Sequence, residues 1–209
     1  MPNWCENTIS VSGNPELIKK LKDFVGRPIR EDDERIEEPI YSLANIMPST
    51  PDAPPILGEM SKSTGHEDWY HNNINSWGTK WDVAGNVYMN NYKEGDEFIG
   101  YTFDSAWSPP TPTTERLSEI FPELTIEHKY YESGCDFWGI ETYKGGEMIS
   151  EEGGELDHSA WERLGMDCYN CEQYAEDPEE YEEYLYDDCP PAIELAKKKK
   201  KKKKTKESA

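Results

Sequence analysis

Long apolar runs are missing from this 209-residue chain: no stretch approaches the roughly 18 residues that a membrane span needs. The opening MPNWCENT also lacks the basic n-region and apolar h-region of a secretory signal. A cytoplasmic protein that makes no membrane contact is therefore expected. Positive charge is scarce too. Residues 1–154 carry 12 basic against 28 acidic side chains, and residues 155–196 carry 1 against 14. Such a surface repels phosphate, so nucleic-acid binding is disfavoured except through the lysine-rich end. Catalytic signatures are absent as well: the chain has no phosphate-cradling glycine pattern, no HExxH, no GxSxG and no thiol-protease flank. The five cysteines are an odd number, which suits free thiols or a metal better than a disulfide framework.

Aliphatic content is thin, with 35% of residues hydrophobic, but seven Trp and thirteen Tyr offer large surfaces to bury. The length allows one ordinary domain plus an appendage. NWCENTISVSG alternates Trp4, Glu6 and Thr8 with Cys5, Asn7, Ile9 and Val11, then reaches Gly13-Asn14-Pro15, which predicts a strand closed by a turn. Asn14 can cap PELIKKLKDFV, where Leu17, Ile18, Leu21, Phe24 and Val25 share one helical face. Residues 27–75 show no lasting period and read as a long irregular insertion that packs through Tyr41, Leu43, Ile46 and Met47. Alternation returns on both sides of Lys93-Glu94-Gly95-Asp96, which predicts a hairpin. TTERLSEIF then predicts a second helix, with Thr113 or Thr114 as its cap. LTIEHKYYE and CDFWGIETYKG predict a further hairpin about Ser133-Gly134.

The resulting order, β-α-β-β-α-β-β, indicates an α+β fold. Its form is a ferredoxin-like split βαβ: an antiparallel sheet of four to five strands with two helices on one face. The expected core is Trp4 or Cys5 with Ile9, Val11, Leu17, Leu21, Phe24, Phe103, Leu117 and Phe121. This domain is expected to fill residues 1–150. An acidic extension with Tyr and Cys follows over 151–196, and KKKKKKKKTKESA, 197–209, reads as a disordered tail.

Several motifs leave two readings open. If SWGTKWD leads a strand, Trp77, Thr79 and Trp81 share one face and Lys80 and Asp82 the other. The tryptophans then pack, while Lys80 and Asp82 form either a solvated pair or, with Asp104, a polar site. Trp107 in FDSAWSPP can seal a sheet edge or offer an aromatic shelf to a peptide. His66 and His71 are five apart, without metal-helix spacing, and read as loop residues. Cys168-Tyr-Asn-Cys171 places two thiols within reach of one zinc, and Cys189 with His158 completes a Cys3His set for a structural site. The plain alternative is free thiols.

The strings MPNWCENTISVSG, SLANIMPSTP, SWGTKWD, FDSAWSPP, FPELTIEHKYYESG and DFWGIETY, in that order over residues 2–145, resemble the YubB-type ferredoxin-like proteins of plasmids, phages and genomic islands. The resemblance implies the fold and a mobile-element origin, without an established activity, cofactor or catalytic residue. The expected function is accordingly an accessory protein, a non-enzymatic acidic module that binds a host or phage protein with a basic surface. Mimicry of DNA charge is one version of it. The rival class is a small metal-dependent hydrolase or nucleotide-handling enzyme with an acidic site near Asp82 and Asp104.

Overall fold

Asn14 ends the first strand and starts the first helix in one step. Its side chain accepts from the amides of Glu16 and Leu17, and Pro15 sits where a helix has no use for an N–H. The structure is a computed structural model that describes residues 3–26, 40–47, 66–83, 87–177, 181–186 and 189–192. It separates into two compact units, Met1–Gly153 and Gly154–Ala209.

In the first unit, strand β1 (Trp4–Ser12) and helix α1 (Pro15–Val25) are followed by helices α2 (Leu43–Ile46) and α3 (His66–Trp77) and strands β2 (Val87–Met89) and β3 (Phe98–Ala106). Helix α4 (Thr111–Ile120) then leads to strands β4 (Thr125–Glu132), β5 (Phe137–Lys144) and β6 (Glu147–Glu155). The sheet order is β2-β3-β1-β4-β5-β6. β1 lies antiparallel between β3 and β4, with Ile9 opposite Tyr101 on one side and His128 on the other. The split βαβ architecture follows: each of the two crossovers, through α1 and through α4, returns the chain parallel with one strand in between.

Parity decides what is buried. Cys5, Asn7, Ile9 and Val11 of β1 lie in register with Ser105, Phe103, Tyr101 and Ile99 of β3, and this row is covered. Ile18, Leu21 and Val25 of α1 and Leu117 of α4 join Ile9, Val11, Ile99, Tyr101, Phe103 and Ile126 in a single apolar cluster, so both helices cover the same face. Each such side chain adds about 1.5–3 kcal/mol. The opposite row begins with Trp4, which is exposed, so Cys5 and not Trp4 belongs to the core. Leu17, Phe24 and Phe121 only border that core, with Phe24 and Phe121 edge to face at 5.8 Å.

Several expectations change. The stretch 27–75 is not wholly irregular: it contains α2 and α3, and Tyr41, Leu43 and Ile46 are buried while Met47 packs against the core. Residues 27–39 and 48–65 lie outside the described part. SWGTKWD does not lead a strand. Trp77 ends α3, and residues 78–83 form an irregular link, because Gly78 turns with φ +78 and the side chains that follow bond to main chain elsewhere. His66 and His71 lie on α3 and not on a loop. Pro110, not a threonine, stands at the cap position of α4. Thr113 and Thr114 are buried in its first turn, and the Thr113 hydroxyl donates to the Pro110 carbonyl at 2.7 Å. A sixth strand, β6, extends the sheet; all nine of its residues are exposed, so no alternation marks it.

Among the described residues, the second unit contains helices α5 (His158–Leu164) and α6 (Tyr169–Glu176) and a 3-10 turn, Glu182–Tyr184, and residues 190–192 are helical. Asp157 caps α5 by accepting from the Ala160 amide, and Gly165 ends it in a left-handed conformation. Among the described residues its buried apolar set is Leu156, Ala160, Trp161 and Leu164, beside Cys168 and Cys189. The lysine tail lies outside the described residues.

Candidate aromatic rim and cysteine cluster

SWGTKWD serves packing and anchoring first. Trp77 is fully buried and its indole N–H donates to the Met47 carbonyl at 2.6 Å. Thr79 is buried and donates to the Ala106 carbonyl at 2.8 Å, while Asn73 holds the Lys80 carbonyl at 2.9 Å. Asp82 is buried and caps α2 from forty residues away. It accepts from the Ser42 hydroxyl at 2.7 Å and from the amides of Leu43 at 2.9 Å and Ala44 at 3.0 Å, as well as from its own neighbour Val83 at 2.7 Å. Burial pushes its pKa up, and these four donors pull against that shift.

Asp104 lies on the other, open row of the sheet, directly opposite Glu6. Partial burial and then the Glu6 charge raise its pKa. Asp82 thus closes a helix, whereas Asp104 faces Glu6.

Lys80 and Trp81 do reach the surface, where they meet residues from the end of the sheet. The Lys80 ammonium lies 4.4 Å from the centroid of the Trp81 ring and 5.6 Å from that of Tyr70. Trp81 in turn lies 6.2 Å from Trp4. Trp4 pairs in register with Ala106, and the next residue, Trp107, donates its amide to the Asn3 carbonyl at 3.0 Å. Trp107 is 51% exposed and Trp4 41%. Trp107 also has φ +72, a left-handed backbone that is strained for a bulky residue. Of the six side chains singled out for binding, Trp81, Lys80 and Trp107 thus lie at this rim, Trp77 and Asp82 are buried, and Asp104 lies on the open row of the sheet that Trp4 begins. Trp4 is the member that sequence reasoning missed. The parity of β1 was the available signal, since Cys5 shares the row of Ile9 and Val11.

The helix-covered face carries a polar line through the core. Asn7 donates to the Cys5 carbonyl and to Ser105 Oγ, which leaves its oxygen to face His128 Nε2 at 3.0 Å; Nδ1 of the same ring faces Thr114 Oγ1 at 3.0 Å. Glu141 accepts from Tyr130 at 2.9 Å and from Tyr143 at 2.5 Å. Every member has a partner, as buried polar groups require. Burial pushes the Cys5 thiol up to about 12, which makes it an unreactive core residue.

In the second unit, His158, Cys168, Cys171 and Cys189 converge with their donor atoms all within 4.8 Å of one another. Cys168 stands at the cap of α6 and Cys171 in its first turn, so both sulfurs leave the same side of the helix start. Cys189 Sγ lies 3.8 Å from Cys168 Sγ and 3.1 Å from Cys171 Sγ, and Cys171 Sγ is 3.5 Å from His158 Nδ1. Burial, then the Cys171 and Cys168 sulfurs, push the Cys189 thiol up. Three thiols and an imidazole are a donor set of the type that holds zinc. Glu162, one turn after His158, places its carboxylate 3.8 Å from the other ring nitrogen, a residue the sequence reading passed over.

Known proteins bear on the first unit most directly. Residues 84–183 match the family described as the ferredoxin-like domain in Api92-like protein. The chain is 35% identical over 92 residues to the uncharacterized protein YubB of Escherichia coli (strain K12), a match that covers 44% of this chain and 61% of that relative. Its fold is similar to the crystal structure of a protein api92 from Yersinia pseudotuberculosis, with a TM-score of 0.54 at 12% identity, over 75% of this chain and 98% of the other. The observed fold agrees with these likenesses: residues 84–183 match a ferredoxin-like domain family, and the solved structure shares the ferredoxin-like fold.

Proposed function

We propose that this protein is a non-enzymatic accessory module of a phage or plasmid, and that it engages a basic protein through the aromatic rim at one end of its sheet. The observation that carries this reading is the pair of exposed tryptophans, Trp4 and Trp107, on adjoining strand ends of a chain with formal charge -21. Tryptophan dominates the energetics of protein interfaces, and an acidic field speeds encounter with a positive partner. The rim is pre-organised as well. Trp4 and Trp81 brace each other, Lys80 covers Trp81, and the Trp107 backbone is tied to Asn3, so little side-chain freedom is lost on contact.

The test is capture of partners from host lysate at low and high salt, with wild-type protein and with a Trp4→Ala, Trp107→Ala double variant. Both side chains are half exposed, so the variant keeps its fold. The expected result is a basic protein held at low salt, released at high salt, and bound at least about 30-fold more weakly by the variant. Equal binding by the variant rejects the rim. Metal-dependent turnover abolished by Asp104→Asn rejects the non-enzymatic reading.

A further inference from the structure

We propose that His158 Nδ1 and the thiolates of Cys168, Cys171 and Cys189 enclose a structural zinc ion that holds the carboxy-terminal unit together. The geometry is the first ground. A tetrahedral zinc with bonds of about 2.3 Å to sulfur and about 2.0–2.1 Å to nitrogen separates neighbouring sulfurs by about 3.8 Å, and sulfur from nitrogen by about 3.5 Å. The Cys168–Cys189 distance of 3.8 Å and the Cys171–His158 distance of 3.5 Å match those edges. The Cys171–Cys189 distance of 3.1 Å is shorter and opens toward the same edge as a metal enters. A disulfide would employ only two of the three sulfurs and would give neither the third thiol nor the imidazole a reason to converge.

The ring orientation is the second ground. Nδ1 is the nitrogen that faces sulfur, and Nε2 faces the Glu162 carboxylate at 3.8 Å. Zinc-bound histidines commonly direct their second nitrogen to a carboxylate, which fixes tautomer and orientation. Cys168, although at the cap position of α6, makes no capping hydrogen bond with its side chain, so its sulfur remains for a metal.

The third ground is the need for such a clamp. α5 has 7 residues and α6 has 8, whereas isolated helices shorter than about 12–15 residues are marginal in water. Among the described residues the buried apolar set is small, and small scaffolds with a thin core rely on a disulfide or a metal. The four donors come from the first turn of α5, the first turn of α6 and a turn 21 residues beyond Cys168, so one ion ties all three together. Soft thiolates with imidazole at tetrahedral spacing select zinc over magnesium or calcium. Four protein ligands leave no open position, which makes the ion structural rather than catalytic. On binding, the three thiols release their protons to solvent and four metal–ligand bonds form, without any change of oxidation state.

The full chain, purified under reducing conditions without chelator, is assayed for metal, and its zinc environment is examined by X-ray absorption. The expected result is about one zinc per chain, bound by three sulfurs and one nitrogen, with zinc–sulfur bonds of about 2.3 Å. Zinc should protect Cys168, Cys171 and Cys189 from maleimide, and a chelator should expose them. Cys168→Ser with Cys171→Ser should abolish binding, while Cys135→Ser, at an exposed thiol, should retain it. Should the double variant misfold, cobalt titration of wild-type protein decides: tetrahedral thiolate bands support the site, and octahedral spectra reject it. Wild-type protein that takes up no zinc when zinc is added overturns the proposal. So does zinc retained by the folded double variant, or a Cys171–Cys189 disulfide in freshly reduced protein.

Discussion

His128 sits under α4 with both ring nitrogens occupied. Because the Asn7 amide group already donates to the Cys5 carbonyl and to Ser105, its oxygen must accept, so His128 carries its proton on Nε2 and receives the Thr114 hydroxyl on Nδ1. No lone pair remains for a second proton, and burial lowers its pKa from 6.5 to about 3. Below the unfolded value the denatured chain binds a proton that the native state refuses. Stability therefore falls as pH drops from 6.5 toward about 3, and above 6.5 this residue has no effect on the slope. The size is up to about 1.4 kcal/mol per pH unit. Urea unfolding of wild-type protein and of His128→Gln, compared from about pH 6 to about pH 4, should show the stability gap narrowing by about 1 kcal/mol per unit. A gap that stays constant would mean that the imidazole accepts its proton in the folded state.

At the scale of elements, α2 shows how a four-residue helix can exist at all. Ser42 occupies its cap position but donates its hydroxyl to Asp82, and the Asp82 carboxylate takes over the capping of Leu43 and Ala44. Asp82→Ala leaves those donors without their acceptor, which should lower stability by about 1.5–3 kcal/mol in urea unfolding, with α2 the first segment to exchange its amides. An unchanged midpoint would show that water replaces the carboxylate at no loss. The same arrangement explains what the sequence could reveal. β1 and α1 each bury one face and wet the other, so their alternation and helical period are visible locally. α2 depends on an acid forty residues away, which no window contains. α3 buries Asn73 and Trp77 among its described side chains and is fixed by their bonds to main chain outside it, so its helical period is faint. β6 has no covered face and therefore no pattern. The candidate sites divide in the same way. Cys168 and Cys171 announce themselves by spacing, whereas Trp4 joins the rim only once the register of β1 is known, and Glu162 matters only once the imidazole has an orientation.

At the scale of the whole molecule, the first compact unit, Met1–Gly153, coheres through an apolar layer between sheet and helices, and for Gly154–Ala209 four metal donors are the proposed clamp. The sheet itself terminates in strands of opposite character. β2 has 3 residues, too short to template another chain, but β6 has 9, all exposed. An outer strand of that length is an invitation to polymerise, since its outward amides and carbonyls can recruit the same strand of a second molecule. Four glutamates, at 147, 151, 152 and 155, stand along it, and two copies approaching edge to edge would bring these like charges together. The negative charge along this strand then opposes edge-to-edge joining of two copies. Glu151→Val with Glu152→Thr should accordingly convert a single sedimenting species into concentration-dependent oligomers that grow as salt screens the remaining charge, and a variant that stays monomeric would show that the strand edge is guarded by shape instead.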